Sequence, residues 1–472
     1  MRHALAAALA LALVHPPSAR AQPSARDPFA AADEAIRAEL AKAGIPGAAV
    51  AVVVGDEVVW SRGFGVANVE TGAPVTADTL FQIGSVTKSF TAAALLTAAS
   101  QGAIALDQRV STYVSGLTAC VGAPTLVQLL SHTGGIIDEP DEFGPQGEDG
   151  LGAYQRSWTN EYCLLPPGRA FSYSNSGFSL AGLALQEIDK KPFADVMRAR
   201  VLAPLGMTRT TFRPMEAMTW PLAVGHRKNK EGTFEVVRPL PNDARLWPAG
   251  TLYSSANEMA RFVMALMNDG KVDGKQALPP GVAGKMRAPV ALVTSTGQHY
   301  GYGLFLAATA LHSGHGGTMT GSAAEFDIED WRLVAGPPKN RVRPIGIIVL
   351  TNGDGVNPHG LLEAAIAGTP YEMISISDGG PSPELALTEA QAEGYVGIFR
   401  NPRRFTVEVV RSATSLRLKR FGRDFPMRAL ATPGLFLVDL PRGGTETIAF
   451  GLGPDGRADY LQMNVWALAR VP

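Results

Sequence analysis

In the stretch "FQIGSVTKSF" (81–90), Ser85 and Lys88 stand at positions i and i+3. On a helix that spacing puts both side chains on one face, a turn apart. A serine hydroxyl is a poor nucleophile until a neighbour takes its proton. An amine in a partly desolvated cleft can take it, and the oxygen then attacks a carbonyl carbon. The same four residues also serve elsewhere as a helix cap with a solvated lysine, so the rest of the chain has to decide. Two later stretches carry chemistry of the right kind. In "FSYSNSGFSL" (171–180), Tyr173 and Asn175 are separated by one residue, so in a loop or extended turn both can face one cleft. A tyrosine hydroxyl near an ammonium group is expected to have a lowered pKa and to act as general base, then acid. An asparagine amide can orient the lysine or hold a substrate carbonyl. In "LHSGHGGTMTGSAAEFDI" (311–328), His315, Gly316 and Gly317 precede a strand-like run in which glycines would let a substrate backbone come close.

The elements that must position these residues are readable in outline. "TAAALLTAAS" (91–100) is rich in helix formers and holds no Gly or Pro, which places Ser85 at a helix N-terminus. "PFAAADEAIRAELAKA" (28–43) reads as an amphipathic helix ended by Gly44 and Pro46. "GAAVAVVVGDEVVWSRGFGVAN" (47–68) reads as a β-hairpin turning at Gly55-Asp56-Glu57. From about 105 to 290 the pattern is helical and loop-rich, and a buried strand returns at Ile345–Leu350 before a closing helix, "LLEAAIAG" (361–368). Strands at both ends and helices between them predict an α+β domain: one sheet flanked by helices, with a helical subdomain inserted. "SDGGPSPE" (377–384) reads as a linker, and Thr388 with Gln391 as a capping box. Short alternating runs at 405–410, 415–421, 435–440, 446–453 and 458–464 then predict a small all-β barrel or sandwich. The expected division is 1–21 signal peptide, 22–376 hydrolase domain, 377–387 linker and 388–472 β domain.

Composition narrows the function. The chain has 472 residues, 42 basic and 43 acidic, for a formal net charge of -1. That balance argues against a nucleic-acid or polybasic membrane-surface role. Arg2, the apolar run Ala4–Val14, Pro16-Pro17 and Ala19-Arg20-Ala21 have the layout of a secretory signal cleaved after Ala21. The run is too short for a bilayer core of about 30 Å, and no later segment reads as a membrane span, so a periplasmic or extracellular location is expected. Cys120 and Cys163 could pair in an oxidising compartment or stay as free buried thiols. His312 and His315 stand at i and i+3, but no zinc-binding motif accompanies them, and no metal is expected.

An S-x-x-K, a Y-x-N and an H-x-G, in that order, resemble the serine β-lactamase and penicillin-binding-protein superfamily. The similarity is greatest to its class C, D-aminopeptidase and esterase branch (peptidase family S12). Flanking text supports it: "LLSHTGGI" (129–136), "PPGRAFSYSNSGFSLAGLALQ" (166–186), "PAGTLYSSANEMARF" (248–262) and "YGYGLF" (300–305). The likeness covers about residues 30–370 and implies an antiparallel sheet flanked by helices plus an all-helical subdomain. It also implies that Ser85 is acylated, that Lys88 accepts or relays its proton, that Tyr173 is base and then acid, and that Asn175 positions Lys88 and substrate. The backbone N–H groups of Ser85 and Thr318 would form the oxyanion hole, with Gly316 and Gly317 against the substrate. His132 reads as structural, in a turn between helices, and no G-x-S-x-G elbow surrounds Ser85. His315 stands where efficient class C β-lactamases carry a lysine that meets the substrate carboxylate, which turns the expectation toward D-aminopeptidases, D,D-peptidases and esterases. The C-terminal β domain resembles the lipocalin-like domains appended to some members. The reading is an exported acyl-enzyme hydrolase acting on small-molecule amide or peptide substrates, D-amino-acid peptides among the candidates, with no metal or organic cofactor. A carboxylesterase of the same family, and a weak β-lactamase or non-catalytic penicillin-binding protein, are the alternatives. Oligomeric state is not encoded in these motifs.

Overall fold

The apolar run "GAAVAVVV" is strand β1 (Gly47–Val54), buried along its whole length, and it turns through Gly55 and Asp56 into β2 (Glu57–Gly65). Gly55 sits at φ +64°, a backbone region that glycine enters without steric cost. These features belong to a computed structural model that describes residues 27–472, apart from 140–141, 310, 335–342, 368–382, 413–414 and 441–443. The expected signal peptide and the first part of the linker lie outside the described residues.

β1 is uniformly apolar because helices cover both of its faces. Ala49, Ala51 and Val53 enter the main core, while Val50 and Val52 meet the second core with α1 (Ala30–Ala43). A strand buried on both faces shows a continuous apolar run in place of alternation. α1 contributes Ala32, Ile36 and Leu40, spaced four apart on one stripe, and stops at Gly44. On the other side of the sheet run α2 (Thr87–Ser100), α3 (Asn175–Asp189) and α4 (Ala256–Met267). α2 is buried from Thr87 to Ala98, which fits its lack of a polar face, and Phe90 stacks on Phe262 of α4 at 3.9 Å.

The sheet is completed by β3 (Ala291–Val293), β4 (Gln298–Tyr300), β5 (Phe305–Leu306), β6 (His312–Met319), β7 (Ser322–Glu329) and β8 (Ile345–Thr351), followed by α5 (His359–Ala367). Its order is β2-β1-β8-β7-β6-β5-β4-β3, antiparallel throughout. On β6, β5 pairs with Ser313 and Gly314, so among the described residues the later part of β6 has no strand neighbour on that side. The inserted region is helical and loop-rich, as expected, and also holds short strand pairs, His226–Lys228 with Phe234–Val236 and Lys271–Val272 with Lys275–Gln276. Cys120 and Cys163 form a disulfide, which settles the alternative the sequence left open.

Thr388 and Gln391 make the expected capping box on α6 (Glu389–Tyr395). Eight strands follow: β9 (Gly397–Asn401), β10 (Phe405–Ser412), β11 (Ser415–Arg420), β12 (Arg423–Ala429), β13 (Leu435–Asp439), β14 (Thr445–Leu452), β15 (Ala458–Met463) and β16 (Trp466–Arg470). They close into a barrel in sequential order, which resolves barrel against sandwich. Arg169 pairs with Asp459 at 2.7 Å, Gln462 donates to the Phe171 carbonyl at 3.2 Å, and the Ala467 N–H donates to the Ser172 hydroxyl at 3.1 Å. The barrel is therefore fastened to the segment that carries Tyr173.

Candidate active site

One 3-10 turn, Gly84–Val86, leads into α2 and places Ser85 just before the helix and Lys88 in its first turn. Lys88 is fully buried. Its ammonium spends its three donors on Ser85 Oγ at 2.9 Å, Asn175 Oδ1 at 2.6 Å and the Ala249 carbonyl at 2.7 Å. Burial pulls its pKa from 10.5 to about 7, against the opposing pull of the Asp138 carboxylate. An amine so poised is protonated and neutral in comparable amounts near neutral pH, and in its neutral form it can take the serine proton across that 2.9 Å contact.

Tyr173 lies on a stretch held from both sides. The Ser172 N–H donates to the His132 carbonyl at 2.8 Å, the Ser174 N–H to His132 Nδ1 at 3.0 Å, and the Tyr173 N–H to the Val465 carbonyl of the barrel at 2.7 Å. Asn175 opens α3, capped by the Ser174 hydroxyl, which accepts from Gly177 N–H at 2.9 Å. Its own N–H donates to Asp138 Oδ1 at 2.8 Å. The lowered tyrosine pKa expected from the sequence is not found. Burial pushes the Tyr173 hydroxyl well up, with only the Ser85 hydroxyl acting to lower it. The Lys88 ammonium sits over the face of the Tyr173 ring, 4.8 Å from its centroid. Burial thus favours the protonated form of Tyr173, which also bonds the Ser85 hydroxyl, and the Lys88 amine is a second group on that hydroxyl.

His132 is buried at φ +57°, its ring 4.2 Å from that of Tyr173. Burial, with Lys88 and His315 adding, holds its pKa well below the usual histidine value. It is a neutral packing and hydrogen-bonding support under Tyr173, in keeping with its structural reading.

β6 lies against the Ser85 turn. A Cβ on Gly317 would fall 2.7 Å from the Ser85 nitrogen, and one on Gly84 would fall 2.5 Å from the Thr318 nitrogen. Only glycine at both places lets the two nitrogens approach, as an oxyanion site built from them requires. Gly316 is exposed, with open space where its side chain would be. His315 turns inward. Its Nδ1 bonds the Gly316 carbonyl at 2.5 Å and its Nε2 bonds the buried Tyr300 hydroxyl at 3.0 Å. Burial lowers its pKa to about 3, with Lys88 adding. Its neutral form is favoured, and both ring nitrogens are bonded within the protein. A cavity of about 630 Å³ borders the site without including Ser85; it is lined by His315, Gly316, Phe305, Asp327 and the barrel residues Asn464 and Val465.

The pattern of the beta-lactamase family matches residues 32–368. The chain belongs to that family. Among curated relatives, penicillin-binding protein 4 of Amycolatopsis lactamdurans is 30% identical over 276 residues, covering 55% of this chain and 71% of that one. Among solved structures, SurE superimposes with a TM-score of 0.73 at 25% identity over 94% of this chain and 99% of its own; with D-Leu its TM-score is 0.71 at 24% identity. A class C beta-lactamase from Rhodobacter sphaeroides gives a TM-score of 0.56 at 22% identity, over 72% of this chain and 97% of its own. The longer SurE match takes in the barrel.

The structure brings Ser85, Lys88, Tyr173, Asn175, His315, Gly316, Gly317 and Thr318 into one region from three separate stretches. Sequence reasoning missed four contributors. Ala249, in "PAGTLY", supplies a carbonyl to Lys88, and Tyr300 lies in "YGYGLF"; both stretches carried the family likeness without a role being drawn from them. Asp138 stands two residues beyond "LLSHTGGI". Val465 reaches the site from the barrel and left no local signal.

Proposed function

We propose that this protein is an exported serine hydrolase that cleaves amide bonds of small peptides, D-residue substrates among them, through an acyl-enzyme on Ser85. The supporting observation is the buried Lys88 amine, with a pKa near 7, on the Ser85 hydroxyl at 2.9 Å. In the proposed cycle, neutral Lys88 takes the proton as Ser85 Oγ bonds to the substrate carbonyl carbon. The N–H groups of Ser85 and Thr318 hold the oxyanion. As the carbon–nitrogen bond breaks, Tyr173 gives its proton to the leaving amine and regains one from the Lys88 ammonium. Water then attacks the ester carbon and loses a proton to Lys88, which passes it to Ser85 Oγ as the ester bond breaks, freeing the acid and restoring neutral Lys88 and the serine hydroxyl.

Amide cleavage is favoured over ester cleavage because an amine leaves only when protonated, and Tyr173 is held in the form that can protonate it. The inward, neutral His315 disfavours a β-lactamase that relies on a fixed positive charge there. The D-residue preference draws on SurE having been crystallised with D-Leu. The test is a hydrolysis panel on residues 22–472 beside Ser85→Ala: D- and L-alanine p-nitroanilide, a D-Ala-D-Ala peptide, p-nitrophenyl acetate and butyrate, and nitrocefin. Ser85-dependent turnover of D-amides or the D,D-peptide supports the reading. Turnover of esters alone makes the protein an esterase.

A further inference from the structure

Asp138 is 1% exposed and sits directly behind the catalytic side chains, and its counter-charge comes from the other domain. Arg404, in the turn between β9 and β10 of the barrel, donates from its guanidinium to Asp138 Oδ2 and lies over the Trp466 ring at 4.5 Å. Asp138 Oδ1 accepts from the Asn175 N–H at 2.8 Å, and Asn175 Oδ1 accepts from Lys88 at 2.6 Å. A continuous chain of polar contacts thus runs from a barrel arginine to the ammonium on Ser85. We propose that Arg404 is a positioning residue for the hydrolase: by neutralising Asp138 it sets the pH range over which Lys88 accepts the serine proton, so that a docked barrel is required for activity at neutral pH.

The argument is electrostatic. A buried carboxylate without a partner is costly, and Arg404 supplies the guanidinium that Asp138 bonds. The Asp138 charge favours the protonated form of both Lys88 and Tyr173. A guanidinium on its far oxygen offsets that pull, and its loss would leave the pull undiminished. Other groups around Asp138 do not replace it. Arg403 is taken by Glu139 at 3.1 Å, and Glu139 also bonds the hydroxyls of Tyr154 and Tyr162. His132 and His315 are held neutral by burial. Arg169, which also joins the two domains, is paired with Asp459.

The inference rests on the proposed roles of Ser85 and Lys88, so the experiment separates the two failures. The readout is the rate of Ser85 labelling by a fluorophosphonate probe in the full chain across pH, with Ser85→Ala as blank. In the unmodified chain the rate should rise through a midpoint near 7, where Lys88 loses its proton. Arg404→Met should move that midpoint up by about one pH unit, a loss of about tenfold at neutral pH. Arg404→Lys should restore it. Asp138→Asn, with Arg404 retained, keeps an acceptor for the Asn175 N–H but removes the negative charge, and should move the midpoint down. Arg404→Met combined with Asp138→Asn removes both charges of the pair, whose pulls on Lys88 oppose each other, and should return the midpoint toward that of the unmodified chain. Shifts of opposite sign in the two single variants support the proposal, because a purely structural role lowers rate or stability without reversing a midpoint. Midpoints that stay fixed in all variants overturn it. An unmodified chain in which Ser85 is not labelled overturns the functional reading, and this inference with it.

Discussion

Replacing Lys88 by methionine exposes what the site costs the fold. Lowering this pKa from 10.5 to about 7 is equivalent to about 5 kcal/mol against the charged form in the folded protein. Between those two values the unfolded chain holds a proton at Lys88 that the folded chain has released. Unfolding therefore takes a proton up, and this group's contribution makes stability rise with pH from about 7 toward 10.5. From pH 7 to pH 9 the gain is about 2 kcal/mol. Lys88→Met removes that slope. It also leaves Asn175 Oδ1 and the Ala249 carbonyl without their donor, at about 1–3 kcal/mol each, so the absolute stability of the variant is a poor readout and the slope is the good one. The assay is denaturant unfolding of both proteins at pH 6, 7, 8 and 9, with other titrating groups cancelling in the difference. The unmodified chain should gain about 2 kcal/mol on the variant between pH 7 and pH 9. Parallel stability curves would refute the assignment of Lys88 as a buried amine poised near neutrality.

Three further outcomes follow from particular contacts. Tyr173→Phe should slow amide hydrolysis by about 10²–10⁴ while slowing p-nitrophenyl ester hydrolysis much less, since p-nitrophenolate leaves without a proton; equal losses would remove Tyr173 as the acid. Gly317→Ala puts a carbon 2.7 Å from the Ser85 nitrogen, and should cut acylation at least about tenfold while the barrel and sheet remain folded by circular dichroism. Replacing Cys120 and Cys163 by alanine opens a loop with a sequence separation of 43, and should cost about 4 kcal/mol in denaturant unfolding by the chain-entropy relation; a loss under about 1 kcal/mol would show that the segment is held by other contacts.

The motifs were legible because each is local. Ser85 and Lys88 share a helical turn, and Tyr173 and Asn175 flank a helix cap, so residue types and spacing were enough to pair them. The hairpin at Gly55-Asp56 and the capping box at Thr388 are local too. What spacing does not carry is the direction in which a side chain points and how dry its surroundings are. Proximity of Tyr173 to Lys88 was foreseen, but the ammonium meets the ring face and burial governs the hydroxyl, so the pKa moves the other way. The motif places His315 beside the glycines, but spacing does not show that its ring bonds Tyr300 and the Gly316 carbonyl. Three barrel strands were missed. β12 contains Pro426, which weakens a strand signal, while β9 and β16 are short and carry charged residues at their ends. Arg404 and Val465 could not be assigned to the site from sequence, since only the docking of one folded domain on another brings them there.

The central claim is a covalent bond to Ser85, and intact-mass measurement after rapid acid quench tests it most directly. The full chain is mixed with a D-amino-acid p-nitrophenyl ester, quenched during turnover, weighed, and peptide-mapped. The account predicts one acyl group on the peptide carrying Ser85, absent from Ser85→Ala and strongly reduced in Lys88→Met. Turnover that persists in Ser85→Ala, or an acyl group on another residue, would contradict it.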